Sequence, residues 1–155
     1  MGNGSSSATA TITAVNLANT LLFVSQDGDG SLARWDASVA VVTFTNTTTI
    51  TATRTTTTGD ACRTSYEVIE YWPGVLKSVQ RGTITLSAVA SNTATITAVD
   101  ITKSVLVDLR YSTTELAVPN TITTRVTLTN ATTVTASRAV GTGTSVIGYQ
   151  VAEFY

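Results

Sequence analysis

Apolar and polar residues alternate along most of this chain with a period of two. In Thr9-Ala10-Thr11-Ile12-Thr13-Ala14, the residues Ala10, Ile12 and Ala14 share one side and the threonines the other; Val42 and Phe44 oppose Thr43 and Thr45 in the same way. Successive side chains point to opposite faces of a pleated strand, so these segments predict strands with one dry and one wet face. Threonine alternating with Ala, Val or Ile disfavours helix almost everywhere, because β-branched side chains lose rotamers in a helix.

The pattern occurs twice. Thr9-Ala10-Thr11-Ile12-Thr13-Ala14-Val15-Asn16 returns as Thr93-Ala94-Thr95-Ile96-Thr97-Ala98-Val99-Asp100, an offset of 84 residues. At the same offset the stretch from Val42 to Arg54 returns from Val126 to Arg138, sharing an Asn and an Arg that threonine bias alone would not supply. After one deletion, Tyr66-Glu67-Val68-Ile69-Glu70-Tyr71 matches Tyr149-Gln150-Val151-Ala152-Glu153-Phe154. Such self-similarity marks a repeated structural unit.

Each copy offers about five short strands. They are the Ala-Thr-Ile-Thr strand, an apolar strand near Leu21 to Ser25 or Val105 to Tyr111, the Val-Thr-Phe/Leu strand, the Thr-Ile/Val-Thr-Ala strand and the closing Tyr-x-Val strand. Asn46-Thr47-Thr48 and Asn130-Ala131-Thr132 fall between strands and read as hairpin turns rather than glycosylation sites. Gly59-Asp60 and Gly141-Thr142-Gly143 mark further turns. The expectation is an all-β protein of two tandem antiparallel β-sandwich units, Ig-like or open-barrel. A flexible arm covers 1–7, unit 1 covers 8–71, a linker 72–80 and unit 2 81–155. Trp72-Pro73-Gly74 reads as the bend between the units.

Arg81-Gly82-Thr83-Ile84-Thr85-Leu86-Ser87 alternates like a strand and leads into the second copy, whereas the first copy has only Gly2 to Ser7 in that place. Two readings follow. Either the first unit lacks an edge strand and offers that edge to another chain, or the segment serves both units. Arg81, Thr83, Ile84 and Thr85 are the candidate assembly residues.

Charged residues make up 12% of the chain and the net charge is −1, so no basic field attracts nucleic acid. Cys62 is the single cysteine, which excludes an intrachain disulfide and reads as a small buried hydrophobe. No apolar run reaches membrane-spanning length, and the N-terminus carries no signal-peptide pattern, which reads as folding in the host cytoplasm.

The chain has no histidine, and Lys77 and Lys103, the two lysines, read as linker or loop residues with no adjacent nucleophile pattern; the expectation is no enzyme. Asp27-Gly28-Asp29-Gly30 reads as a Gly-rich turn rather than a calcium loop, so neither metal nor cofactor is expected. Arg54/Arg138 and Glu70/Glu153 recur in both copies and read as structural charge pairs or exposed strand ends. Trp35, Tyr71, Trp72 and Tyr155 are the candidate partner-binding residues, since aromatics at loops and unit ends anchor protein surfaces or stack on sugars.

The run Val79-Gln80-Arg81-Gly82-Thr83-Ile84-Thr85, with Thr93 to Asp100, Val126 to Thr132 and Tyr149 to Phe154, resembles repeat modules of tailed-bacteriophage virion proteins. The resemblance covers all of the second copy and most of the first. It implies a virion location, with capsid or tail proteins as partners, in a decoration, head-fibre, tail or receptor-binding role. A symmetric homo-oligomer fits that role. The truncated start of the first copy departs from the pattern. The alternative is a carbohydrate- or cell-surface-binding module in which Trp35, Tyr71 or Trp72 stacks on a glycan.

Overall fold

The computed structural model describes residues 1–2, 4–28, 35–57, 61–116 and 123–155. Its strands are β1 (Ser7–Thr11), β2 (Thr20–Gly28), β3 (Val41–Asn46), β4 (Thr49–Thr53), β5 (Cys62–Glu70), β6 (Leu76–Ser87), β7 (Ser91–Thr95), β8 (Ser104–Thr113), β9 (Arg125–Asn130), β10 (Thr133–Ser137) and β11 (Thr144–Phe154). They form four small antiparallel sheets, ordered β1-β4-β3, β2-β5, β7-β10-β9 and β6-β11-β8. The chain is all-β and sandwich-like. Asp29, Gly30, Gly59 and Asp60, part of two expected turns, lie outside the described residues.

The same pairings occur in both halves. Thr9 faces Thr51 as Thr93 faces Thr135, and Leu22 faces Val68 as Leu106 faces Val151. The two Asn turns are built alike: Asn46 Oδ1 accepts the Thr48 N–H at 2.8 Å, and Asn130 Oδ1 accepts the Thr132 N–H at 2.9 Å. An Asx side chain that bonds two residues ahead supplies a turn where the strand would otherwise run on.

Two further turns were not expected from the pattern. After β1 the alternation fails: Ile12 bonds to the Thr48 carbonyl and Val15 to Thr47, and a 3-10 turn follows at Leu17–Asn19. Its counterpart is Ile101–Lys103. Asn16 and Asp100 cap these turns by accepting the N–H groups of Ala18 and Thr102. Val99 therefore turns inward with Ile96, while Ala14, assigned to the dry face, and its match Ala98 are exposed.

The recurrent arginines are neither exposed strand ends nor partners of the recurrent glutamates. Arg54 is buried and donates to the carbonyls of Ser5, Gly2 and Ala37. Arg138 is buried and donates to the carbonyls of Val89, Leu86 and Gly143 and to the Ser145 hydroxyl. A guanidinium with five donors suits this task, because it satisfies several loop carbonyls removed from water at once. Burial lowers the Arg138 pKa from its ordinary value. Cys62 is buried, its thiol 3.4 Å from the Ser38 carbonyl oxygen.

The hydrophobic clusters mix the two halves. Val107 and Leu109 of β8 pack with Leu22, Val42, Ile50 and Cys62, while Val39 packs with Ile84, Leu86 and Tyr149. A third cluster joins Leu21 to Leu76 and Ala152. The segment read as linker is largely strand: β6 begins at Leu76 and pairs with β11 along its length, with one irregularity at Lys77. Lys77, read as a linker lysine, lies within it and pairs with Glu153 at 2.8 Å.

Candidate binding surface at the corner between the halves

Trp72, Pro73, Gly74 and Val75 form the turn that leads from β5 to β6, closed by the Val75 N–H on the Trp72 carbonyl at 3.2 Å. Pro at the second position fixes one φ, and Gly74 takes the positive φ of +89° that the third position requires. Trp72 stands on this turn with 85% of its surface exposed. Tyr155, 72% exposed, is tied to the same turn by its N–H on the Val75 carbonyl at 3.4 Å.

Tyr71 is half-buried and meets Phe154 edge to face, with ring centroids 6.1 Å apart. Its N–H bonds to the Asn19 carbonyl, which sets the 3-10 turn beside it. A groove of about 360 Å³ runs between them, lined by Asn16, Asn19, Glu70, Tyr71, Trp72 and Pro73. Glu70 Oε1 accepts the Asn16 N–H at 2.7 Å, which holds an exposed carboxylate at the rim. The corner thus presents an indole, a phenol, a carboxylate and a carboxamide together. That combination can cover an apolar surface or stack on and hydrogen-bond a sugar.

The fold brings Tyr71, Trp72 and Tyr155 to this corner and places Trp35 elsewhere. Trp35 is half-buried in the joint, and its indole N–H donates to the Tyr111 hydroxyl at 2.9 Å. Burial raises the Tyr111 pKa above its ordinary value, with the Trp35 bond opposing it. Nothing in the sequence pattern singles out Asn16, Asn19 and Glu70 as site residues. The Asn16/Asp100 and Glu70/Glu153 correspondence was the available signal, and it marked a turn as readily as a site.

The four residues singled out on β6 divide. Ile84 is buried in the core, and Thr83 and Thr85 are exposed. Arg81 is half-buried in the joint, where it donates to the carbonyls of Leu17 and Thr20 and to Gln150 Oε1. Its guanidinium carbon also lies 5.2 Å from the Phe44 ring centroid, and burial lowers its pKa. Among the described residues no group of three or more Cys, Asp and Glu side chains is placed to hold a metal ion. No helix among them is long and apolar enough to cross a membrane.

The class defined by these features is an all-β, sandwich-like protein with an exposed aromatic corner. Comparison with protein-family models, with curated proteins and with solved structures finds no match to this chain.

Proposed function

We propose that this chain is a non-enzymatic structural protein of a tailed-bacteriophage virion, homo-oligomeric and bound to capsid or tail as a decoration, fibre or adaptor component. The resemblance of its strand motifs to virion repeat modules supports this reading, as does its low-charge, Thr-rich β composition. The observation that carries it is Trp72, held in water on a Pro-Gly turn with Tyr155 beside it. A rigid exposed indole gains free energy from any apolar surface that covers it, and Trp is enriched among residues that dominate interfaces.

The test is labelling of particles from the producing culture with antibody raised against the purified chain. Labelling supports the reading. Chain recovered only from the particle-free fraction overturns it.

A glycan-binding module is the second reading, favoured by Asn16, Asn19 and Glu70 lying in the same groove as Trp72. Retention of the native chain on a glycan array, lost in Trp72→Ala, would select it over the first.

A further inference from the structure

In the second half β11 lies between β6 and β8; in the first half its counterpart β5 pairs with β2, the counterpart of β8, and with no counterpart of β6 among the described residues. The difference shows in the side chains. Tyr149 on β11 is 5% exposed, and the matching Tyr66 on β5 is 38% exposed. Val151 is buried, and its match Val68 only half-buried.

Met1 marks one end of the open edge. Met1 and Cys62 exchange backbone bonds, Cys62 N–H to Met1 O at 3.0 Å and Met1 N to Cys62 O at 2.6 Å. Cys62 corresponds to Ser145, which faces Leu86 on β6, so Met1 stands in the place of Leu86. In an antiparallel strand the N–H and C=O of alternate residues point to one edge. Those of Thr64, Tyr66, Val68 and Glu70 therefore point the same way as Cys62, toward a position that no strand fills among the described residues.

The side chains along β5 define what fits. On β11, Glu153 pairs with Lys77 and Gln150 accepts from Arg81, while Tyr149 lies across Gly82, where a Cβ would come within 2.7 Å of the phenol oxygen. The matching residues on β5 are Glu70, Glu67 and Tyr66. Both acids are exposed, and Tyr66 and Glu67 line a recess of about 280 Å³.

We infer that the free edge of β5 is an acceptor for an extended strand from another protein, running antiparallel and ending at Met1. The strand carries basic residues opposite Glu70 and Glu67, glycine opposite Tyr66 and an apolar residue opposite Thr64. Main-chain bonds would give the affinity and these side chains the register. A second copy of this chain is disfavoured as the donor, because its one segment of that pattern, β6, would have to leave β11 and open an equal edge. The inference goes beyond the virion reading and does not require it.

The probe is a peptide with the sequence of residues 76–85, titrated into the full chain. Saturable binding is expected, weakened roughly tenfold by Glu67→Lys with Glu70→Lys and abolished by valine at the peptide's glycine. A second form places the same ten residues directly before Met1, which should raise Tm by about 4 °C or more. Absence of peptide binding together with an unchanged Tm in the fused chain overturns the inference. So does an intact chain that light scattering finds as a dimer with its β5 edge amides already protected from exchange, for then a second copy fills the edge.

Discussion

Gln150 and Leu22 bond as if one were a strand neighbour of the other: the Gln150 side-chain N–H donates to the Leu22 carbonyl at 2.9 Å, and its oxygen accepts the Leu22 N–H at 3.3 Å. Both residues are fully buried, one in each half of the chain. A primary amide can present an N–H and a C=O side by side as a peptide unit does, so it completes a strand edge that water cannot reach. Gln150→Ala leaves both Leu22 groups unpaired and should lower stability by roughly 3 kcal/mol, read by urea unfolding.

Because each core cluster draws on both halves, the chain should unfold in one calorimetric transition. Leu109→Ala, which empties a β8 position packed into the core of the first half, should lower its midpoint at a cost of about 2–5 kcal/mol without splitting it. Two resolved transitions in the native chain would show that the halves are thermodynamically separate.

Arg138→Met keeps an apolar stem and removes the donors to the carbonyls of Val89, Leu86 and Gly143. The expected loss is roughly 2–4 kcal/mol by urea unfolding. A loss under about 0.5 kcal/mol, usual for an exposed charge, would contradict the buried role.

The Lys77 side-chain bond, followed by the Asp100 backbone N–H, lowers the Glu153 pKa, and the Glu153 side-chain bond raises that of Lys77. Folding thus favours both charged forms. The glutamate's contribution is present above its ordinary range and is lost as pH falls through the lowered value. The lysine's is present below its ordinary value and is lost as pH rises through the raised one. The urea midpoint of the native chain should therefore fall more steeply below about pH 4 than that of Glu153→Gln. Identical acid limbs would exclude the pair as a contributor.

Trp72 makes its case by contrast. Trp72→Ala should change stability by no more than about 0.5 kcal/mol, since little of the side chain is covered, yet remove binding to particles. An unchanged particle affinity would take the corner out of the proposed interface.

Strands were legible because threonine alternation reports one half-buried face, and the Asn turns because a short polar side chain can close them. The 3-10 turns were not, since Ile12-Thr13-Ala14 continues the alternation in composition while the backbone has already left the strand at Thr11, ahead of the Asn16 cap. Burial of Arg54 and Arg138 was hidden too: both bond to backbone carbonyls, which leave no sequence signal. At the corner, Tyr71, Trp72 and Tyr155 could be named from their positions at repeat ends. Trp35 looked the same in sequence, and only the reach of Tyr111 from the other half distinguishes it. The open edge of β5 was foreshadowed by residues 81–87, a strand pattern that the first copy does not repeat, but the charge pattern along that edge appears only when β5 is laid over β11.

The openness of β5 is measured most directly by amide hydrogen exchange on the intact chain, residue by residue. Thr64, Tyr66, Val68 and Glu70 should exchange at least about a hundredfold faster than Ile147, Tyr149, Val151 and Glu153, their counterparts beneath β6. Equal protection of the two sets would contradict an open edge and with it the assignment of β5 as an acceptor strand.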